Sequence, residues 1–170
     1  MELKDIKSVY FVGAGGIGMS AIARYFLHKG LVVAGYDKTP SELTHQLEKE
    51  GMLIHYEENV NLIPEECRQP TTTLVVYTPA IPSTHTELIY FHDNNFTIEK
   101  RAQVLGTLTR THKGLCFAGT HGKTTTSTMC AHIMHKSHLD CNAFLGGISK
   151  NYGINYILSD HSDYVVIEAD

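Results

Sequence analysis

Apolar runs alternate with amphipathic stretches along this chain, and their order predicts the type of fold. Residues 9–12 form an apolar run that predicts a strand, and residues 19–28 place apolar side chains on one helical face after a glycine turn. Gly30 ends that helix, and the apolar run 31–36 predicts the next strand. Repeated units of this kind favour a parallel sheet with right-handed crossovers.

The same alternation continues to the end of the sequence. Further helices are predicted at 40–50, 86–92, 102–111 and from a second glycine loop to about 138, and further strands at 53–54, 73–77, 96–98, 114–118 and 164–167. We therefore expect an α/β fold, with a Rossmann-like parallel sheet domain over residues 1–110 and the beginning of a P-loop α/β domain over residues 111–170. The second segment has too few elements to cover both faces of its sheet, so we expect a fragment of a longer protein.

The composition of the chain argues against nucleic-acid binding, membrane insertion and secretion. The 170 residues carry a net charge of −4, with 42% hydrophobic and 19% charged residues, which provides no broad basic surface for nucleic acid. No apolar run approaches the ~20 residues of a membrane span, and the first residues lack the order of a secretion signal. We therefore expect a cytoplasmic protein without a nucleic-acid or membrane partner.

Neither the cysteines nor the histidines predict a metal centre. The four cysteines include no C-x-x-C pair, so reduced thiols are expected. His132 and His135 share a helix face at i, i+3 spacing, which a metal could use, but the spacing matches no zinc pattern. We interpret this segment as the continuation of the helix that begins at the second glycine loop.

The first glycine-rich turn follows the pattern G-x-G-x-x-G between a strand and a helix. Gly13 permits a tight turn, Gly15 the approach of a pyrophosphate, and Gly18 the packing of the helix against the strand. Asp37 ends the second strand, where a dinucleotide-binding domain places the acid that holds a ribose. The pattern does not separate NAD from another diphosphate ligand, or either from a turn that serves packing alone. The candidate phosphate-binding residues are Gly13, Ala14, Gly15, Gly16, Ile17 and Gly18.

The second glycine loop predicts a triphosphate site, because glycines, a lysine and a hydroxyl follow an apolar strand in the order such a site requires. Lys123 is the predicted catalytic residue, since it can neutralise β and γ oxygens, and Thr124 can complete the shell of Mg²⁺. Phe117 stands where the longer P-loop pattern has glycine, so the loop is a shortened variant. The candidate ATP-binding residues are Gly119, Thr120, His121, Gly122, Lys123, Thr124 and Thr125.

Two acids follow the last predicted strand, at the edge of a parallel sheet where ligand sites gather. Glu168 and Asp170 are these acids. A carboxylate at this edge can bind Mg²⁺, whereas the alternative is a solvated strand end. We predict that Glu168 and Thr124 bind the metal.

Together these motifs resemble the Mur ligase family over the whole chain. The loop 119–125 is similar to the family's G-T-H-G-K-T-T, and residues 15–20 are similar to the G-G-x-G-M-S turn of its alanine-adding branch. Other similar segments are Thr78-Pro79-Ala80-Ile81, Arg101-Ala102, Gly146-Gly147 and Glu168-Ala169-Asp170. The chain departs from the family where His85-Thr86 replaces a frequent Asn-Pro and where Lys100 replaces a common proline.

This resemblance implies an ATP-dependent ligase that joins L-alanine to UDP-N-acetylmuramate through an acyl phosphate. It implies that the first domain binds the UDP part, with Thr78 and Arg101 among the substrate-binding residues, and that the central domain binds ATP and Mg²⁺. The fragment alone is expected to form no amide. The alternatives are an NAD-binding oxidoreductase that uses the first domain, another branch of the family, or a nucleotide-binding module without catalysis.

Overall fold

The computed structural model describes residues 3–169. The chain divides into two compact units, one ending at Ala102 and the other beginning at Gln103. The division falls at the beginning of a helix, α4 (Arg101–Thr111). The domain boundary predicted from the sequence lies near the end of the same helix. The domain limits 1–110 and 111–170 stay predictions.

The first unit is built on a five-stranded sheet in which every paired strand is parallel, in the order β3-β2-β1-β4-β5. Because all strands run the same way, their carboxyl ends lie at one edge of the sheet. The strands are β1 (Ser8–Val12), β2 (Val32–Tyr36), β3 (Leu53–His55), β4 (Thr73–Tyr77) and β5 (Thr97–Lys100), and the helices are α1 (Ile17–His28), α2 (Glu42–Lys49) and α3 (Thr86–Asp93). Short 3₁₀ turns cover Leu3–Asp5, Val60–Leu62 and Glu65–Cys67.

The sequence explains where these elements form and end. All five residues of β1 are buried, as expected for a central parallel strand with both faces covered. A capping box between Ser41 and Thr44 starts α2. On one side of the sheet, the rings of Tyr10, Phe91 and Phe96 pack together, so this part of the core joins β1 to α3.

The second unit contains a four-stranded sheet in the order β6-β9-β7-β8. Its elements are β6 (Lys113–Phe117), α5 (Lys123–Lys136), β7 (Asn142–Phe144), β8 (Tyr156–Ile157) and β9 (Tyr164–Glu168). Strands β6, β9 and β7 are parallel, whereas β8 pairs antiparallel with β7. Ala131, Cys141 and Val166 belong to its buried core.

The predicted α/β class is confirmed, with differences in detail. Strands β7 and β8 were not predicted, because runs of three and two residues are too short to show a period of two. Helix α1 begins at Ile17 rather than at residue 19, since Gly16 is its N-cap. None of the helices within residues 3–169 combines the length and apolar character that a membrane span requires.

Candidate functional site

A cavity of about 580 Å³ opens in the first unit, where loops leave the carboxyl ends of the strands. Its walls come from the loops after β1, β2, β3 and β4. Of the predicted substrate-binding residues, Gly13, Gly15, Gly16, Asp37 and Thr78 line this cavity. Ala14, Ile17, Gly18 and Arg101 are not among the described residues that line it.

The glycine turn has a backbone that only glycine suits at its first position. Gly13 adopts a φ of 90°, and a Cβ there would lie 2.6 Å from Cγ2 of Thr78. The amides of Gly13 and Ala14 donate to the carbonyl of Tyr36 at 2.8 and 3.0 Å, so the turn is tied to the end of β2. Gly16, the N-cap of α1, supplies no side-chain cap, which leaves the helix N-terminus suited to an anion.

Asp37 holds this turn in place. One carboxylate oxygen accepts the Gly15 amide at 2.6 Å, and the other accepts the Thr39 amide at 3.1 Å. A Cβ on Gly15 would lie 2.9 Å from the nearer oxygen, so the absence of a side chain permits the contact. The carboxylate thus has a structural role in the turn, and its predicted contact with a ribose stays a prediction.

Gly18 accommodates a different neighbour from the one expected. The glycine pattern predicts that this residue permits packing of the helix against the strand. A Cβ there would overlap the guanidinium of Arg101, so Gly18 gives room to that side chain. Ile17 is 54% exposed, whereas Ala14 is buried.

His85 forms part of the cavity wall, and sequence reasoning missed it. It is 3% exposed, and neither ring nitrogen has a hydrogen-bond partner among the described residues. Its ring centroid lies 4.6 Å from that of Tyr36, and its Nε2 lies 3.8 Å from Oε2 of Glu58. The only sequence signal was that His85-Thr86 stands in place of the family's frequent Asn-Pro.

Glu58, on the same wall, is an ionised carboxylate. Its Oε1 accepts the Thr86 amide at 2.7 Å. This backbone hydrogen bond lowers the pKa of Glu58, and it outweighs the opposite effect of burial. The carboxylate therefore provides negative charge on the cavity wall beside His85.

A buried network fixes the loop that carries Glu58. Glu87 has no exposed surface, and its two carboxylate oxygens accept the Tyr10 hydroxyl at 2.7 Å and the Asn59 amide at 3.0 Å. Nε2 of His55 lies 2.7 Å from the Tyr10 oxygen, and its Nδ1 donates to the Glu57 carbonyl at 2.8 Å. Burial, and then the Glu87 carboxylate, raises the pKa of Tyr10. The residues at 57–59 are thereby held against α3.

The predicted triphosphate loop of the second unit lies between β6 and α5. Gly119 and Gly122 adopt φ values of 148° and 77°, which favour glycine. Gly122 is the N-cap of α5 and provides no side-chain cap. Nζ of Lys123 donates to the Gly119 carbonyl at 2.9 Å, so the lysine lies across its own loop. The remaining loop residues Thr120, His121 and Thr125 are exposed.

The two predicted metal ligands are in direct contact. Oγ1 of Thr124 donates to Oε1 of Glu168 at 3.0 Å, and the amide of Gly146 donates to the other carboxylate oxygen at 2.9 Å. A Cβ on Gly146 would overlap this carboxylate, so the glycine is needed for the approach. A hydroxyl and a carboxylate oxygen are ligands that suit Mg²⁺. Asp170 lies outside the described residues.

The two histidines of α5 are bound to protein groups. Nδ1 of His132 lies 2.7 Å from the hydroxyl of Tyr152, and Nδ1 of His135 lies 2.7 Å from Oδ1 of Asp140. Hydrogen bonds of this length orient both rings within the second unit.

Known proteins are similar to this chain in sequence and in fold. The chain is 67% identical over 170 residues to a UDP-N-acetylmuramate–L-alanine ligase of Phocaeicola vulgatus and 63% identical over 170 residues to a protein of that name from Parabacteroides distasonis. Each comparison covers 100% of this chain and 37% of the relative. The chain thus spans little more than a third of the length of these relatives.

Two solved structures resemble the fold. UDP-N-acetylmuramate-alanine ligase MurC from Thermotoga maritima gives a TM-score of 0.78 at 32% identity, over 95% of this chain and 36% of that one. UDP-N-acetylmuramate:L-alanyl-gamma-D-glutamyl-meso-diaminopimelate ligase from Neisseria meningitides gives 0.81 at 24% identity, over 97% of this chain and 53% of that one. The second likeness shows the fold alone.

The model of one protein family also matches this chain. The model described as "Mur ligase family, catalytic domain" matches residues 8–113, which is more than half of the chain. This segment includes the glycine turn and every wall of the cavity in the first unit. The chain belongs to the Mur ligase family.

Proposed function

We propose that this chain is part of a ligase that joins L-alanine to UDP-N-acetylmuramate with the use of ATP. The observation that carries the proposal is the contact between Thr124 and Glu168, next to Lys123 at the beginning of α5. The names of the relatives at 67% and 63% identity support the choice of substrates. We propose the cytoplasm as its location, with no nucleic-acid or membrane partner.

The second unit is proposed to bind ATP as a substrate. Lys123 already lies against the loop carbonyl of Gly119, so its ammonium is positioned beside the backbone that would surround the phosphates. Thr124 and Glu168 would hold Mg²⁺, because their oxygens lie together and the Gly146 amide orients the carboxylate. Mg²⁺ bound there would neutralise phosphate oxygens. Lys123 would stabilise the charge that gathers on the transferred phosphoryl group.

The reaction proposed for the whole ligase has two balanced steps. The terminal phosphoryl group of ATP passes to the carboxylate of UDP-N-acetylmuramate, which gives an acyl phosphate and ADP. The neutral amine of L-alanine then attacks the acyl carbon, the new C–N bond forms, the C–O bond to phosphate breaks, and the nitrogen loses one proton as phosphate leaves. Within this scheme, the second unit binds the phosphoryl donor and the first unit binds the nucleotide of the acceptor.

The first unit is proposed to bind the UDP portion in its cavity. The uncapped N-terminus of α1 suits the diphosphate, next to Gly15 and Gly16. Thr78 lies on the same wall as the glycine turn, because it touches the position that a Gly13 side chain would fill. Arg101, which packs against Gly18, is proposed as a further contact to the substrate.

Calorimetric titration of the chain with ATP in the presence of Mg²⁺ tests the second unit. We expect Lys123→Ala to weaken binding at least about tenfold, because it removes a charged phosphate contact. Lys136→Ala, at the other end of α5, is the matched control and should bind as the unchanged chain does. Equal affinity of the Lys123→Ala variant and the control would remove Lys123 from its proposed role.

Titration with UDP-N-acetylmuramate and, separately, with NADH tests the first unit. The proposal expects saturable heat from the nucleotide sugar and none from NADH. Saturable binding of NADH alone would instead favour the oxidoreductase alternative. Because the two units are tested with different ligands, failure of one assignment leaves the other open to its own test.

A further inference from the structure

We propose that His85 and Glu58 form a hydrogen-bonding pair that recognises the uridine portion of the nucleotide, at a group that both donates and accepts. The inference rests on the proposed binding of a UDP-sugar in the cavity of the first unit. Two groups of uridine have this chemistry: the ribose diol and the imide edge of uracil. His85 would act as a binding and specificity-determining residue.

His85 is a buried histidine whose hydrogen-bonding capacity is not used within the described residues. A buried polar group without a partner costs free energy, and imidazole has two nitrogens that normally form hydrogen bonds. His85 is 3% exposed and lines the cavity, yet neither nitrogen has a hydrogen-bond partner among the described residues. Both nitrogens are buried and unpartnered in a side chain that lines the cavity, so a ligand group that packs against this wall could supply the missing hydrogen bond.

Glu58 places a carboxylate beside the His85 ring. Oε1 of Glu58 accepts the Thr86 amide, and Oε2 lies 3.8 Å from Nε2 of His85, beyond direct hydrogen-bond distance. A ligand group that donates to Oε2 and accepts from the imidazole would satisfy both side chains at once. The backbone bond to Thr86 fixes the carboxylate, so the pair requires little ordering when a ligand binds.

The two ends of the cavity differ in how well they suit phosphate. The carboxylates of Glu58 and Asp37 both line the cavity and repel phosphate, but only at the glycine turn, which Asp37 contacts, does the beginning of α1 offset this repulsion. Amides at the uncapped beginning of α1 attract phosphate, and Gly16 at this helix end lines the same cavity. The neutral nucleoside therefore suits the wall formed by His85 and Glu58.

The test compares UDP with two analogues, 2′-deoxy-UDP and N3-methyl-UDP, in titrations of the unchanged chain and of His85→Phe. The phenylalanine keeps a ring against Tyr36 and removes both nitrogens. We expect His85→Phe to bind UDP about tenfold more weakly, which corresponds to the loss of one hydrogen bond. His92→Phe is the matched control, since His92 lies on α3 with a side chain that is 83% exposed.

The two analogues show which group of uridine the pair of His85 and Glu58 binds. If the pair reads the ribose, 2′-deoxy-UDP binds the unchanged chain more weakly than UDP, and this difference disappears in His85→Phe. If the pair binds uracil, N3-methyl-UDP is the analogue that binds the unchanged chain more weakly than UDP, and this difference disappears in His85→Phe. If both differences persist unchanged in His85→Phe, His85 recognises neither group and the inference is overturned.

Folding is monitored in the same variants. Because His85→Phe removes an unpartnered buried polar group, we expect its melting temperature to be equal to or above that of the unchanged chain. Should it fail to fold, Glu58→Gln provides the second variant, since the Glu58 side chain is 39% exposed. It should weaken UDP binding several-fold, and unchanged affinity would contradict the pair. Absence of UDP binding by the unchanged chain would instead refute the proposed function of the first unit.

Discussion

The Tyr10 hydroxyl donates a 2.7 Å hydrogen bond to Oε2 of Glu87, and neither side chain has any exposed surface. Tyr10 lies in the central strand β1, and Glu87 lies in the first turn of α3. Since the other oxygen of Glu87 accepts the Asn59 amide, one buried acid joins the sheet, a helix and the loop beside the cavity. A buried carboxylate of this kind depends on each of its donors.

Tyr10→Phe should therefore lower the free energy of unfolding by about 2 kcal/mol, because it removes a donor from a buried carboxylate and leaves the ring in place. Urea denaturation followed by circular dichroism measures this change. Tyr90→Phe is the control within the same aromatic cluster, where Tyr90 is only half-buried, and it should change stability by less than about 0.5 kcal/mol. Equal effects of the two substitutions would show that the Tyr10–Glu87 hydrogen bond does not add to the free energy of unfolding.

On the proposed binding of ATP and Mg²⁺ by the second unit, Gly146→Ala should reduce the gain in ATP affinity that Mg²⁺ provides, although residue 146 is not a proposed ligand of either. The added methyl group overlaps the Glu168 carboxylate and would displace it from Thr124. We expect roughly a tenfold loss of the Mg²⁺-dependent gain, as for one lost charged contact. Titrations with and without Mg²⁺ measure it.

The neighbouring glycine provides the control for this prediction. A Cβ on Gly147 would lie 3.4 Å from Cγ2 of Thr124, which is an ordinary contact distance. Gly147→Ala should therefore keep most of the Mg²⁺-dependent gain. If Gly146→Ala also keeps it, the position of the Glu168 carboxylate does not matter for metal binding.

The stability of the second unit should depend on pH through Asp140. Burial raises its pKa, but hydrogen bonds from Ser159, His135 and the Cys141 amide outweigh burial, so the net pKa is below its usual 3.8. A carboxylate with a lowered pKa stabilises the fold above its unfolded value and loses this effect as pH falls through the folded value. The stabilisation from Asp140 should thus be present above about pH 4 and be lost below it.

Asp140→Asn tests this dependence without straining the chain, because asparagine tolerates the positive φ of 50° at this position. The variant should be less stable by about 1 kcal/mol at pH 5.5, and the difference should shrink as pH falls to 3. Thermal melting across this range measures the difference. Asp163→Asn, at an exposed acid, should show no such trend. A difference that stays constant with pH would rule out the carboxylate as its source.

The cysteines should differ sharply in their reaction with iodoacetamide. Cys116 is exposed, whereas Cys67 and Cys141 are buried. Burial raises the pKa of Cys67 to about 11 and that of Cys141 to about 12, so little thiolate is present at neutral pH. Peptide mass spectrometry of the folded chain should find Cys116 modified first, and the two buried thiols only after unfolding. Modification of Cys67 as fast as Cys116 would contradict the packing of the first unit.

Sequence patterns predict those parts of the fold in which local chemistry and burial agree. The strand at 73–77 has the predicted limits, because a β-branched run is bounded by polar and proline positions. The glycines, lysine and threonines of residues 119–125 predict a triphosphate loop, and these residues extend from the loop after β6 into the first turn of α5. The contact of Thr124 with Glu168 follows from parallel pairing of β6 and β9.

Other features depend on contacts between residues far apart in the chain, which a single sequence does not show. The glycine pattern gives no sign that Arg101 fills the space beside Gly18, or that Asp37 binds the turn through the Gly15 amide. His85 is a similar case. Its position on the cavity wall results from the packing of α3, and only the structure reveals that its nitrogens lack partners.

The cavity in the first unit takes its walls from segments that follow four separate strands. A chain in which any one of these four strands is detached has no complete cavity, so a ligand that occupies the cavity binds only when the four strands are assembled. Such a ligand raises the free energy of unfolding of the whole unit, by about 2.7 kcal/mol at a concentration one hundred times Kd. Any ligand of this cavity, the proposed nucleotide sugar included, would thus stabilise the assembled strands against unfolding.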